Sequence, residues 1–255
     1  MLIDTHAHLD AEEYAGEVEQ IVQRAKEYGV GKIVTVGTDV EGSKNAISIA
    51  EKFENVHVAV GCHPHYADEW VKREDKERLA ELLTHRKVVA VGETGLDYFK
   101  NYSSKENQRS LFLHQIKLAL EYKKPIIIHC RDAHKEMREI LRAEMPPPAK
   151  GVIHCFSGTD DDANCYLNMG FYISVAGPIT YPNAKTLREV ASHISIDRLV
   201  VETDCPFLPP QPFRGKRNEP AYVKFTADTL AETLGVTKEH LAEQTTKNAE
   251  MLFGI

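Results

Sequence analysis

Histidine and carboxylate residues recur where short apolar segments of the sequence end. They are Asp4, His6, His8, Glu93, His129, His154, Glu202 and Asp204. On a strand, residues i and i+2 face the same side, so the imidazoles of His6 and His8 can reach one ion. An isolated pair of this kind is more often two buried histidines, but the further ligand-type residues favour a metal site.

The number of candidate ligands indicates the chemistry. Four imidazoles and the carboxylates of Glu93 and Asp204 are too few for two closed tetrahedral shells. They fit two open coordination shells that solvent completes. Because a carboxylate has two oxygens, Glu93 could bridge two cations. Two ions ~3.5–4 Å apart suit phosphoryl hydrolysis, since a bound cation lowers the pKa of its water towards ~7 and gives hydroxide at neutral pH. We predict two divalent ions, with Asp204 and Glu93 as the catalytic carboxylates.

The type of metal stays open at this stage. Mixed imidazole and carboxylate ligands suit Zn²⁺, Mn²⁺ or Fe²⁺, and Mg²⁺ less well, although cellular supply keeps Mg²⁺ a candidate. Asp4 and Glu202 stand two residues before His6 and Asp204, so we expect them to orient the ligands from behind. The alternative for these two carboxylates is a buried salt bridge.

Two further segments contain candidate substrate contacts. His63 and His65 follow another apolar segment, and we expect them to contact a substrate phosphate. Arg214 and Asn218 lie in a long proline-rich loop before a predicted helix start, where backbone amides and cations could bind an anion. The alternatives are loop histidines without a role and a solvated basic loop.

Short β-branched segments that alternate with amphipathic ones must position these residues. The predicted strands are Leu2–Thr5, Lys32–Val36, Val56–Val60, Val88–Gly92, Ile126–His129, Val152–His154, Phe171–Val175 and Arg198–Glu202. Eight strand–helix units in about 250 residues predict a (β/α)8 TIM barrel, an α/β fold with all strand ends on one rim. The rival is an open doubly wound sheet.

The predicted helices complete this organisation. They cover Glu12–Tyr28, Glu41–Phe53, Asp75–His85, a helix after a Ser103 and Glu106 capping box, Asp132–Arg142, Asn183–His193, Ala221–Leu234 and Lys238–Phe253. The last of these is an extra C-terminal helix that Thr237 caps. No clear boundary divides the chain, so we expect residues 1–255 to form a single domain.

Composition limits the possible partners. The 255 residues have a formal net charge of −7, which argues against holding nucleic acid by bulk positive charge. No apolar run has the ~18 residues of a membrane span, and we find no signal peptide. Five cysteines without a disulfide-like spacing indicate reduced thiols, so we expect a cytoplasmic protein. No obligate protein partner is evident in the sequence, and we expect a monomer. Aromatic residues make up only 8% of the chain, and they form no stripe together with basic residues. If the substrate is nucleic acid, we therefore expect contact with its ends or with short single-stranded segments.

The motifs together resemble a known family. DTHAHLD (4–10), GCHPH (61–65), GETGLDY (92–98), IHCRDA (128–133), HCFSG (154–158), ETDCPFL (202–208) and RNEP (217–220) are similar to TatD-type metal-dependent deoxyribonucleases of the amidohydrolase-like group. The resemblance implies that His6, His8, Glu93 and Asp204 bind one ion, and that Glu93, His129 and His154 bind the other. It also implies hydrolysis of DNA or RNA, often from 3′ to 5′.

Three functions are compatible with these residues. The first is a metal-dependent nuclease, a hydrolase that acts on ester bonds of nucleic acid, DNA or possibly RNA. The second is a related hydrolase of an amide, ester or lactone bond. The third is a binding scaffold without activity, which the intact ligand set and the net charge of −7 disfavour.

Overall fold

Eight parallel strands form one sheet whose order follows the chain. The computed structural model describes residues 1–72 and 75–255. Its strands are β1 (Leu2–Ala7), β2 (Val30–Val36), β3 (Val56–Val60), β4 (Val88–Asp97), β5 (Ile126–Arg131), β6 (Gly151–Ile153), β7 (Tyr172–Val175) and β8 (Leu199–Val201). All eight predicted strands are present, and β4 runs five residues beyond its predicted end at Gly92.

The sheet closes between its first and last strands. Ala7 of β1 forms a parallel bridge to Cys205, just beyond β8. The amide of Asp204 donates to the carbonyl of His6 at 2.9 Å, and the amide of His8 donates to the carbonyl of Cys205 at 2.8 Å. These bonds confirm the (β/α)8 barrel and exclude the open doubly wound sheet.

Helices surround the barrel. They are α1 (Val18–Glu27), α2 (Val40–Ala50), α3 (Ala67–Lys72), α4 (Asp75–Leu82), α5 (Lys105–Glu121), α6 (His134–Glu144), α7 (Asp160–Met169), α8 (Lys185–Ser192), α9 (Val223–Leu234) and α10 (Lys238–Phe253). The extra C-terminal helix α10 has its predicted bounds, and Thr237 caps it by accepting from the amide of His240. No helix in the described ranges combines the length and apolar character that crossing a bilayer requires.

Two helices and one cap differ from the sequence-based expectations. Helices α3 and α7 were not predicted, and α7 begins with a capping box between Thr159 and Asp162. The predicted cap at Ser103 is wrong, because Ser104 accepts from the amide of Asn107 instead. The hydroxyl of Ser103 donates to the carbonyl of His65 at 2.7 Å, so it ties the loop after β3 to the loop after β4.

Strand alternation divides the apolar core into two layers. In β3, Val58 and Val60 pack in the layer between strands and helices, whereas Ala59 packs inside the barrel. The interior layer also includes Leu252 and Phe253 of α10. Helix α10 therefore fills the end of the barrel where the strands begin, and leaves the opposite end free for polar residues.

Candidate metal centre at the carboxyl ends of the strands

Glycines allow β4 to bring Glu93 to the centre of the mouth. Gly92 has a φ of 147° and Gly95 a φ of 142°, a region that favours glycine. A Cβ at Gly95 would lie 2.0 Å from the carbonyl oxygen of His129, so only glycine lets β4 approach β5 this closely. The peptide bond between Gly92 and Glu93 is cis. Glu93 itself is buried, 3% exposed.

One oxygen of Glu93 faces the histidines of β1. Its Oε2 lies 3.4 Å from Nε2 of His6 and 3.9 Å from Nε2 of His8. The two Nε2 atoms are 3.2 Å apart. Oδ1 of Asp204 lies 3.8 Å from Nε2 of His6 and 3.5 Å from Nε2 of His8. Ligands bound tetrahedrally at ~2.0–2.2 Å are separated by about 3.3–3.6 Å. The ligand atoms of His6, His8 and Glu93 therefore lie close enough together to hold one cation, and Asp204 borders this group on the side of the two histidines.

The other oxygen of Glu93 faces a second set of imidazoles. Its Oε1 lies 2.8 Å from Nδ1 of His129 and 2.9 Å from Nε2 of His154. Nε2 of His63 approaches the same oxygen at 3.5 Å. His63 thus lies inside the ligand cluster, with 7% of its surface exposed, although the sequence suggested only a substrate contact.

The pKa values of these groups reflect their mutual charges. Burial alone would raise the pKa of Glu93, but His154, His63 and His6 together hold it well below its usual value. Burial would lower the pKa of His8, yet its hydrogen bond with Asp204 and that carboxylate's charge raise it to about 9. The pocket therefore attracts positive charge, which histidine protons or a cation can supply.

The ring orientation of two histidines is fixed from behind. His8 Nδ1 lies 2.8 Å from the carbonyl oxygen of Val36, to which it donates, so its Nε2 is left for the pocket. Nδ1 of His154 lies 3.0 Å from Oε1 of Glu202, which also accepts from the amide of Cys155 at 2.8 Å. Glu202 thus contacts an imidazole of the cluster directly, as an orienting residue must.

Asp4 acts differently from Glu202. Its Oδ1 accepts from the amide of Thr203 at 2.9 Å and from the amide of His6 at 3.3 Å, and its Oδ2 accepts from the Thr203 hydroxyl at 2.6 Å. These bonds join the end of β1 to the segment after β8, and none of them reaches an imidazole. Asp4 therefore positions backbone, and only indirectly the ligands.

Asp97 at the end of β4 was not among the predicted site residues. Its Oδ2 lies 2.8 Å from Nε2 of His65 and 3.2 Å from Nε2 of His129, and its Oδ1 accepts from the amide of Lys100 at 2.8 Å. Burial would raise the pKa of Asp97, but these hydrogen bonds lower it below its usual value. The signal was present in the sequence, because Asp97 lies four positions after Glu93 and an even offset places two strand residues on the same face.

A cavity of about 520 Å³ opens onto the cluster. Its walls include His8, Asp10, His63, His65, Tyr66, Glu93, Asp97, Lys100, His129, Arg131, His154, Asp204 and Phe207. The cations at this opening are Lys100 and Arg131, both exposed. Sequence reasoning did not single out Lys100, and it considered Arg131 only as a further phosphate contact.

Two predicted substrate contacts lie outside the walls of this cavity. Asn218 is fully buried, and its amide nitrogen donates to the carbonyls of Thr203 at 2.9 Å and Phe207 at 2.6 Å. Its side chain therefore holds the loop after β8, and the expected contact with substrate does not fit this burial. Arg214 is exposed and stacks over the ring of Tyr181, 4.5 Å from its centroid.

The barrel and its clustered imidazoles and carboxylates define a class of metal-dependent hydrolases. The family model described as TatD related DNase matches residues 3–254, so the chain belongs to this family and is a metal-dependent hydrolase. The metal-dependent hydrolase YabD of Bacillus subtilis (strain 168) is 46% identical over 255 residues, 100% of both chains.

Two further relatives support this assignment. The 3′-5′ ssDNA/RNA exonuclease TatD of Pantoea ananatis (strain LMG 20103) is 34% identical over 260 residues, 100% of both chains. The crystal structure of YJJV, a TatD homolog from Escherichia coli K12, has a TM-score of 0.92 and 35% identity, and covers 100% of this chain and 98% of that chain.

Proposed function

We propose that this protein hydrolyses phosphodiester bonds of nucleic acid, from the 3′ end of single strands, with two divalent cations. One observation carries the proposal. The two oxygens of Glu93 face separate sets of imidazole nitrogens, at 3.4 and 3.9 Å on one side and at 2.8 and 2.9 Å on the other. A carboxylate shared in this way suits a pair of cations, the arrangement used for in-line displacement at phosphorus.

The chain supplies ligands for both cations. His6, His8 and Asp204 would hold one together with Oε2 of Glu93, and His129 and His154 would hold the other with Oε1. Nδ1 of His6 is buried without a hydrogen-bond partner in the described part of the chain, so the polar groups of this ring are not fully satisfied by the protein. When bound, divalent cations lower the pKa of water and neutralise charge on the phosphate.

The remaining steps belong to the side chains. Asp204 retains about 15% side-chain exposure, and its pKa is lowered below its usual value, since its bonds with His8 and the nearby histidine charges outweigh its burial. Its carboxylate is therefore ionised at neutral pH and can accept the proton of the attacking water. His65 and Arg131 line the cavity beside this centre and can contact a phosphate oxygen of the substrate.

The direction of cleavage and the type of strand come from a relative. The Pantoea ananatis protein is named as a 3′-5′ ssDNA/RNA exonuclease, and it aligns over the whole of this chain. The net charge of −7 supports contact near the cations over broad binding to a duplex.

The test uses oligonucleotides labelled at the 3′ or 5′ end, incubated with Mg²⁺, Mn²⁺ or Zn²⁺. We expect stepwise release of nucleotides from the 3′ end, loss of that release in EDTA, and recovery on adding metal back. Asp204→Asn serves as the blank. A wild-type protein that binds metal yet releases no nucleotide with any of the three ions, while hydrolysing an ester or lactone, would overturn the proposal.

A further inference from the structure

Exposed aromatic side chains are concentrated around the mouth of the barrel. In the described part of the chain, five aromatic side chains have at least 40% of their surface exposed. They are Tyr28 (45%), Tyr66 (40%), Phe99 (54%), Tyr102 (64%) and Phe207 (54%). All except Tyr28 lie in the segments that follow β3, β4 or β8, whose carboxyl ends form the mouth. Large aromatic rings left in water at a functional opening indicate a contact surface.

The rings flank the candidate metal centre on two sides. Phe207 lines the cavity, and its ring centroid lies 6.1 Å from that of His8. The ring of Tyr102 lies 4.8 Å from that of His65. In a closed barrel of eight strands in chain order, β4 and β8 stand opposite each other, so Phe99 and Tyr102 lie across the mouth from Phe207.

Cations accompany the rings that follow β4. The guanidinium carbon of Arg131 lies over the ring of Phe99, 4.2 Å from its centroid. Nζ of Lys100 lies 5.9 Å from the centroids of both Phe99 and Tyr102. Rings interleaved with positive charges differ from the continuous apolar patch of a protein interface, and they match surfaces that stack bases while their cations contact the backbone.

We propose that Phe207 and the Phe99–Tyr102 segment are two stacking subsites for unpaired nucleobases, one on each side of the metal centre. This inference rests on the proposed function and adds the means by which the strand is held. Stacking on an aromatic ring needs a free base face, which an unpaired end provides. A duplex end must first unpair and unstack its bases, so these subsites select frayed or single-stranded ends.

The experiment compares two oligonucleotides that differ only in their bases. One is a single-stranded pentanucleotide, and the other has abasic sites at its three terminal 3′ positions. For each protein the ratio of the two kcat/KM values is measured. We expect Phe207→Ala and Phe99→Ala each to lower the preference for the base-containing strand roughly tenfold, mainly through KM.

Two controls make the test specific. Phe207→Trp keeps an aromatic ring and should retain the preference, whereas Tyr28→Ala removes an exposed ring far from the mouth and should leave the ratio at its wild-type value. An equal ratio in wild type and both alanine variants overturns the stacking subsites while the nuclease proposal stands. If no strand is cleaved, the nuclease proposal fails, and fluorescence anisotropy with the same two oligonucleotides then decides whether the rings bind bases.

Discussion

The two ends of the barrel differ in charge and in how their polar groups are satisfied. At the mouth, imidazoles and carboxylates face one another, and Nδ1 of His6 is buried without a partner in the described residues. At the other end, Nζ of Lys87 donates to the carbonyls of Phe53, Glu54 and Val56 at 2.7, 2.9 and 3.1 Å. The side chains of Leu252 and Phe253 fill the space between the strands there.

This difference shows how one fold separates stability from chemistry. Lys87 donates hydrogen bonds to carbonyl groups that would otherwise lack this partner, so the end covered by α10 contributes to folding. At the mouth, the carboxylates are only partly paired with positive charge from the chain. Such a pocket is suited to binding a cation and contributes less to the stability of the fold. Changes at the two ends should therefore be separable, and we order the tests from the largest expected effect.

Glu93→Gln should produce the greatest loss of activity. The amide keeps the shape of the side chain but removes the charge that both imidazole sets share, so we expect kcat/KM to fall by about 10³-fold or more. Bound metal, measured by elemental analysis, should fall with it, while the melting temperature stays within a few degrees of wild type. A variant that retains full metal content and activity would show that the mouth does not depend on this carboxylate.

Phe253→Ala should have its main effect on folding. Phe253 is 5% exposed and packs inside the barrel, so its removal should lower the free energy of unfolding by about 3–5 kcal/mol. Urea denaturation checks this value, and kcat of the protein that remains folded should be close to that of wild type. A selective loss of kcat with unchanged stability would contradict the separation of the two ends.

Glu202→Gln should weaken metal binding without abolishing it. Its Oε1 accepts from His154 and from the amide of Cys155, and loss of such an orienting carboxylate costs about 10–100-fold in metal affinity or activity. Asp4→Asn is the matched comparison, because Asp4 bonds only backbone and the Thr203 hydroxyl. Competition with a chromogenic chelator should show the larger change for Glu202→Gln. Equal losses of metal affinity in the two variants would show that direct contact of the carboxylate with an imidazole is not needed for metal binding.

The smallest expected effect is a pH dependence of stability at the end covered by α10. Burial, with the charges of Lys87 and Lys32, lowers the pKa of His57 to about 4. Between pH 6.5 and 4 the unfolded chain therefore binds more protons here than the folded protein, so stability falls as the pH falls through this range. Because His57 is half-buried, we expect His57→Gln to remove under about 1 kcal/mol of this loss.

Urea titrations of wild type and His57→Gln at pH 4.5 and 7 measure that difference. The free energy of unfolding should fall more for wild type than for His57→Gln when the pH is lowered from 7 to 4.5. A parallel dependence in both proteins would place the acid sensitivity elsewhere.

The sequence alone determined the eight strands and the residues at their ends. Continuous apolar segments such as those that begin β4 and β5 mark strands buried on both faces, and this pattern is visible without any tertiary contact. Helix α7 was not predicted, because its three leading acidic residues weaken the apolar periodicity of the segment. Its start depends on the capping box between Thr159 and Asp162. Adjacent serines made the cap of α5 ambiguous in the same local way.

Only the tertiary structure decided which atoms face each other. It gave each oxygen of Glu93 its own imidazoles, brought His63 within 3.5 Å of that carboxylate and buried Asn218 in a loop. It also brought Phe99 and Phe207, 108 positions apart in the sequence, to one opening. Barrel closure sets these distances through contacts between residues remote in the chain, and no local pattern of residue types contains that information.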